Sequence, residues 1–170
     1  MRAGSLIEKS FAVCDCGLMD YRDTLREQQR LVAQRREGLI GDTVLLVEHR
    51  PVVTLGARRF KNKLLVGPET LAERGIEVTQ IRRGGGATAH NPGQLVFYPI
   101  LELRGMNLSI CEYIRELEEI GIELLEQLGV YSERREGFPG LWVREKKVGF
   151  IGVRVSRGIT YHGMAINIRN

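Results

Sequence analysis

Three consecutive glycines, Gly84-Gly85-Gly86, stand between two runs of extended-strand character, residues 77–82 and 94–102. Glycine reaches positive φ and lets backbone approach another chain or a ligand, at an entropic cost that an ordinary turn does not carry. Around the glycines sit Arg82, Arg83, Thr88 and His90, so hydrogen-bond donors and a proton carrier converge on backbone able to approach an extended substrate. Two better-known glycine motifs fail here. A phosphate-binding P-loop ends in Gly-Lys-Ser/Thr, and none follows these glycines. A dinucleotide fingerprint needs a third glycine where Ala89 stands and a helix opening within the loop, whereas this loop feeds a strand-like run.

The rest of the chain reads as elements placed around that strand-to-strand loop. Residues 10–14 form a short β-like run. Leu18, Tyr21, Leu25, Leu31 and Val32 then follow helical spacing, interrupted by the polar Gln28 and stopped at Gly38. Residues 43–47 and 51–55 are extended, 60–67 a surface loop, and Pro68 opens a short helix that ends before Gly75. Ser109 and Glu112 have the capping-box spacing. After them Ile110, Tyr113, Leu117, Ile120, Leu124 and Leu128 give a continuous apolar face, with Cys111 placed as a small filler facing the core. Four β-like runs follow, 130–134, 140–145, 147–155 and 159–168, with separations of hairpin length that predict antiparallel neighbours. The expected fold class is α+β, a mixed, largely antiparallel sheet with packed helices, in a single domain spanning 1–170.

Composition narrows the function classes. No run approaches the roughly 20 apolar residues of a membrane span, and residues 1–20 lack a signal-peptide layout. Cys14, Cys16 and Cys111 are an odd number without framework spacing, which points to a reducing compartment and a cytoplasmic protein. No second cysteine pair completes a metal site and the three histidines are scattered in sequence, so no metal and no cofactor are expected. Lys and Arg number 25 against 21 Asp and Glu, a mild excess that steers an acidic partner. The arginines form no stripe with interleaved aromatics, which argues against nucleic acid.

The run Arg83-Gly84-Gly85-Gly86-Ala87-Thr88-x-His90-x-Pro92-Gly93-Gln94-Leu95-Val96-x-Tyr98-Pro99 resembles the signature of the lipoyl(octanoyl)transferases. Further matches follow the same order: 48–56, 140–143, 147–154 and 160–167. The resemblance implies the fold of biotin and lipoate protein ligase catalytic domains. It also implies transfer of an octanoyl group from octanoyl-acyl carrier protein to a lysine of lipoyl domains of 2-oxoacid dehydrogenases or of the glycine cleavage H protein, in lipoate biosynthesis. The acceptors and donor are its implied partners. By motif position Lys147 is the lysine that tunes a cysteine nucleophile and handles the acceptor's proton. The stretch Arg83, Gly84, Gly85, Gly86, Ala87, Thr88, Ala89, His90 contacts substrate, with Phe150, Ile151, Gly152 and Gly163, Met164, Ala165 as further walls of the acyl pocket. Ala89 and Asn91 depart from the family's usual residues, and Ala89 bears on pocket size.

The family's cysteine follows a strand matching Ala165-Ile166-Asn167-Ile168, and no cysteine of this sequence occupies that position. The expectation is that the nucleophile lies beyond Asn170 in a C-terminally truncated chain. Two alternatives stand beside the transferase: an ATP-dependent lipoate or biotin protein ligase, and a catalytically silent acyl or carrier-protein binding module. A ligase tends to place an acidic residue after the histidine, where this chain has Asn91-Pro92-Gly93-Gln94. His49, beside Pro51, reads as structural.

Overall fold

A computed structural model describes residues 11–169. Six strands form the main sheet in the order β1 (Ala12–Met19), β2 (Thr43–His49), β6 (Gln94–Ile100), β9 (Ile159–Asn167), β8 (Lys146–Ser156), β7 (Leu141–Val143). A second sheet of three strands has β3 (Val52–Leu55) between β4 (Glu77–Gln80) and β5 (Ala87–His90). β1 runs parallel to β2 and β4 parallel to β3, while the other pairings are antiparallel. This is the mixed, largely antiparallel α+β arrangement expected.

Alternation along β6 builds a core on each face of the main sheet. Val96, Tyr98 and Ile100 point to one side, where they meet Leu31 of α1 (Tyr21–Arg36) together with Leu45 and Val47. Phe97 points to the other, where Tyr113, Leu117 and Leu125 of α4 (Ile110–Gln127) pack with Leu141, Met164 and Ile166. Each such fully buried Leu or Ile contributes about 1.5–3 kcal/mol of apolar transfer. The Ser109–Glu112 capping box opens α4 as expected, with the Ser109 hydroxyl accepting from the Glu112 amide at 3.2 Å. Two short α-helices, α2 (Pro68–Glu73) and α3 (Leu103–Met106), and a 3-10 turn at Arg59–Lys61, where a surface loop was expected, are the other helical pieces among the described residues.

Several expectations change. Leu18 belongs to β1, and the first helix starts at Tyr21. Gln28 does not interrupt the buried face but is part of it: it is fully buried, and its Oε1 accepts the His162 backbone N–H at 2.7 Å. Residues 130–134 form no strand beyond a bridge between Glu133 and Trp142. The Val130 amide is taken by the Leu125 carbonyl and that of Gly129 by Glu126, so the chain here closes α4. Cys111 is exposed, because it lies two positions, about 200° of helix, from the buried Tyr113. Ile110, Ile120 and Leu128 are also exposed, and Ile120 lines an apolar groove between α4 and the sheet with Leu46, Leu95 and Leu124. The segment after the glycines is the strand β5, not a loop running on to β6.

Candidate active site

The glycine loop bridges the two sheets because its backbone packs where no Cβ fits. The Gly56 amide donates to Gly86, Arg58 to Gly85 and Ala57 to Arg83, while the Gly84 amide donates to Val153 of β8 at 3.0 Å. A Cβ at Gly86 would stand 2.5 Å from the Lys61 carbonyl oxygen, and one at Gly56 would stand 2.3 Å from that of Gly85. Through these contacts the loop aims Arg83 inward. Its guanidinium is buried, donating to the Thr54 hydroxyl at 2.7 Å, the Thr54 carbonyl at 3.1 Å and the Gly84 carbonyl at 2.9 Å. No carboxylate among the described residues pairs with it. Burial pushes its pKa down, and an unpaired buried cation of this kind is a site for developing negative charge.

Arg83, Thr88 and His90 line one side of a narrow cleft whose internal volume is about 20 Å³, room for about one water, so an acyl chain must part its walls to enter. Phe150, Ile151, Gly152, Gly163, Met164 and Ala165 line the other. The structure thus gathers nine of the residues singled out from sequence. Gly84, Gly85, Gly86, Ala87 and Ala89 stand outside the lining; the glycines hold the loop against Lys61 and Val153. Sequence reasoning missed Tyr21, Val96, Tyr98 and His162, which also line the cleft. Tyr21, Val96 and Tyr98 sit at apolar-periodic positions that signal core and nothing more.

The three histidines, far apart in sequence, cluster here: His90 and His162 line the cleft, and His49 lies behind it. His49 and His90 have ring centroids 5.4 Å apart, and Tyr98 lies within 5.8 Å of His49 and 6.3 Å of His162. Each is buried and neutral near pH 7: burial pushes His49 down to about 4, and His90 and His162 to about 3. His49 donates from Nδ1 to the Met19 carbonyl at 3.2 Å and accepts the Tyr98 hydroxyl at Nε2 at 2.8 Å, a structural role as expected. His90 donates from Nδ1 to the Gln94 Oε1 at 2.6 Å, which leaves Nε2 with the lone pair. His162 has φ of 55°, a left-handed conformation costly in a strand, held by the bond from its amide to Gln28. The cleft is therefore apolar and neutral apart from Arg83.

Lys147 is not among the residues that line the cleft; its Nζ stands 5.6 Å from the ring centre of Phe150, which is, and donates to the Pro139 carbonyl at 2.5 Å. Desolvation pushes its pKa below the ordinary lysine value, opposed by Glu118 and reinforced by Lys61. Gly140, with φ of 126°, is required beside it, since a Cβ there would stand 2.3 Å from the Gly149 carbonyl oxygen as well as 2.5 Å from the Lys147 Cε. Glu118, buried in α4, accepts the Gly140 amide at 2.9 Å and fixes this turn.

Residues 20–170 match the family model for the lipoyl protein ligase A/B catalytic domain. The chain belongs to this family. Within the lipoyl protein ligase A/B family it is similar to the octanoyltransferase of Koribacter versatilis, 41% identical over 161 residues, covering 92% of this chain and 64% of that protein. It is also similar to the octanoyltransferase of Roseiflexus sp., 44% identical over 163 residues, covering 94% and 68%. The chain spans about two thirds of the length of the curated relatives it matches. Among solved structures, lipoate-protein ligase A bound with ATP superposes with a TM-score of 0.71 at 17% identity, covering 96% of this chain and 68% of that one. The biotin acetyl coenzyme A carboxylase synthetase of Helicobacter pylori gives 0.52 at 16%, covering 92% and 59%. These two likenesses bear on the fold, which the family shares with ligases.

Proposed function

We propose that this chain carries the octanoyl-transfer site of an octanoyltransferase, moving an octanoyl group from octanoyl-acyl carrier protein to a lysine of a lipoyl domain. One observation carries the reading: Lys147, whose pKa burial lowers, stands against Phe150, and Phe150 lines an apolar cleft with Arg83, which no carboxylate among the described residues pairs. The cleft takes the acyl chain between Val96, Ile151 and Met164. The carbonyl oxygen faces Arg83 and Thr88, donors suited to the charge that develops on it.

In the first half-reaction a cysteine thiolate attacks the thioester carbonyl and the carrier's thiolate leaves, taking a proton from the Lys147 ammonium. In the second, the acceptor lysine's amine attacks the acyl-cysteine. The cysteine thiolate leaves, and the neutral Lys147 amine takes the proton released as the amide forms. A lysine whose pKa is lowered passes between these two states at less cost than a solvated one.

None of the three cysteines of this sequence lines the cleft. Cys14 and Cys16 lie on β1, at the edge of the sheet and separated from β9 by β2 and β6, and Cys111 lies exposed on α4. We therefore place the nucleophile on a cysteine that follows β9. Reading the encoding DNA past codon 170 tests this. The protein so specified is then assayed with octanoyl-acyl carrier protein and a lipoyl domain. Octanoylation without ATP supports the transferase. A requirement for ATP and free octanoate assigns a ligase, and binding without transfer assigns an acyl-binding module.

A further inference from the structure

Three segments around the glycine loop carry charge of one sign, while Tyr21 brings Asp20 and Asp23 to the other side of the cleft. Residues 56–67, 81–96 and 146–170 contain four, two and five of the chain's Lys and Arg residues, and none of its 21 Asp and Glu residues. The fold draws these segments together at the glycine loop. The Arg58 amide donates to Gly85 at 3.1 Å, Gly86 packs on Lys61, and the Arg154 guanidinium reaches the Arg82 carbonyl at 3.4 Å. Arg58, Arg59, Lys61, Lys63 and Arg82 are exposed and Arg154 is half-buried. Among the described residues none of these six is in an ion pair. Along α1, by contrast, Arg22, Arg26 and Arg30 are each paired, with Glu77, Asp23 and Glu27. Phe60, 75% exposed between Arg59 and Lys61, adds an aromatic anchor to the basic rim.

We propose that this rim, Arg58 to Lys63 with Arg82 and Arg154, is the docking surface for the acidic carrier protein that delivers the acyl group; the proposal rests on the octanoyl-transfer reading above. Unpaired exposed cations repel one another until an anionic partner covers them, and such a field speeds encounter with one. The acyl donor fits this rim. Its surface is acidic, as the excess of basic residues on this rim would require of a partner. The acceptor fits the rim less well, because its reacting group is a lysine and residues 56–67, 81–96 and 146–170 contain no carboxylate to receive it. Lys61 is close enough to Lys147 for its charge to act on that amine, so the rim runs up to the reacting group.

The test is fluorescence anisotropy of labelled octanoyl-acyl carrier protein with the 1–170 chain at low and high salt. Arg58→Glu with Lys61→Glu is expected to weaken binding about tenfold or more at low salt, with the loss shrinking as salt rises. Neutral Arg58→Gln with Lys61→Gln should fall between, which separates charge from misfolding. Arg26→Glu with Arg30→Glu, on α1, should stay within about twofold of wild type. A small octanoyl thioester, which reads the cleft without the carrier, should bind all variants alike. Equal carrier affinity in wild type and rim variants overturns the docking surface, as does a rim dependence found for a lipoyl domain or duplex DNA and not for the carrier. Rim-dependent carrier binding with no binding of the small thioester keeps the docking surface and sinks the acyl cleft.

Discussion

The carboxylate of Glu118, buried inside α4, accepts the amide of Gly140 at 2.9 Å and so ties the helix to the turn whose Pro139 carbonyl holds Lys147. Arg115 at 2.8 Å and Arg134 at 3.4 Å neutralise the other oxygen from the solvent side. Glu118→Ala leaves a buried N–H without a partner and should cost about 2–3 kcal/mol. Glu118→Gln keeps an acceptor and should cost less. Urea midpoints rank the two, and equal midpoints would contradict the bond's role.

Lys147 should titrate below the ordinary lysine value of 10.5, because burial disfavours its ammonium. Competitive acetylation across pH, read by mass spectrometry, measures this on the chain directly. With a depressed base the unfolded state binds more protons in the window between the folded pKa and 10.5, so this group's contribution to stability rises with pH there. In the catalytically competent protein, Lys147→Met should suppress transfer by a hundredfold or more, as expected of roughly 10²–10⁴ from a proton carrier, and Lys146→Met far less. Similar small losses from both would reduce Lys147 to a surface residue.

Acid should unfold the protein through its histidines. His49, His90 and His162 are pushed from 6.5 to about 4, 3 and 3. Below pH 6.5 the unfolded state therefore takes up protons that the folded state refuses, and stability falls with pH until the folded values are reached. With all three engaged the slope approaches about 4 kcal/mol per pH unit, at roughly 1.4 per proton. Chemical denaturation at successive pH values between 7 and 5 checks this. A flat profile there would show the imidazoles to be solvated.

Two neighbouring glycines should respond differently to the same methyl group. At Gly86 a Cβ meets the Lys61 carbonyl oxygen at 2.5 Å, backbone that must move; at Gly84 the nearest atom is the Val153 carbonyl oxygen at 3.4 Å. Gly86→Ala should cost about 1–3 kcal/mol and Gly84→Ala well under 1. Gly85→Val is the poorer probe, since φ of 87° at Gly85 strains any side chain. Thermal unfolding of the pair decides, and the reverse order would remove the packing role given to the loop.

Local pattern made much of this fold legible. The α4 capping box, the β7 to β9 hairpins and the start of α2 at Pro68 all follow from short-range chemistry. What stayed hidden depends on distant partners. Gln28 looks like a break in a helix face until the His162 amide, 134 positions away, is seen to need its oxygen. The histidine cluster exists only once β2, β5 and β9 are brought together. In the site, Arg83, Thr88 and His90 were readable from the glycine motif, whereas Tyr21 and Tyr98 carried the same signal as any core residue.

In the proposed octanoyl-transfer site the acyl chain lies between the glycine loop and strands β8 and β9. A photoreactive octanoyl analogue carrying a terminal diazirine, loaded on acyl carrier protein and irradiated with the chain, tests it by peptide mapping. Crosslinks are predicted at Val96, Phe150, Ile151 or Met164, within the cleft. Crosslinks confined to Leu46, Leu95, Ile120 or Leu124, in the apolar groove beside α4, would contradict it.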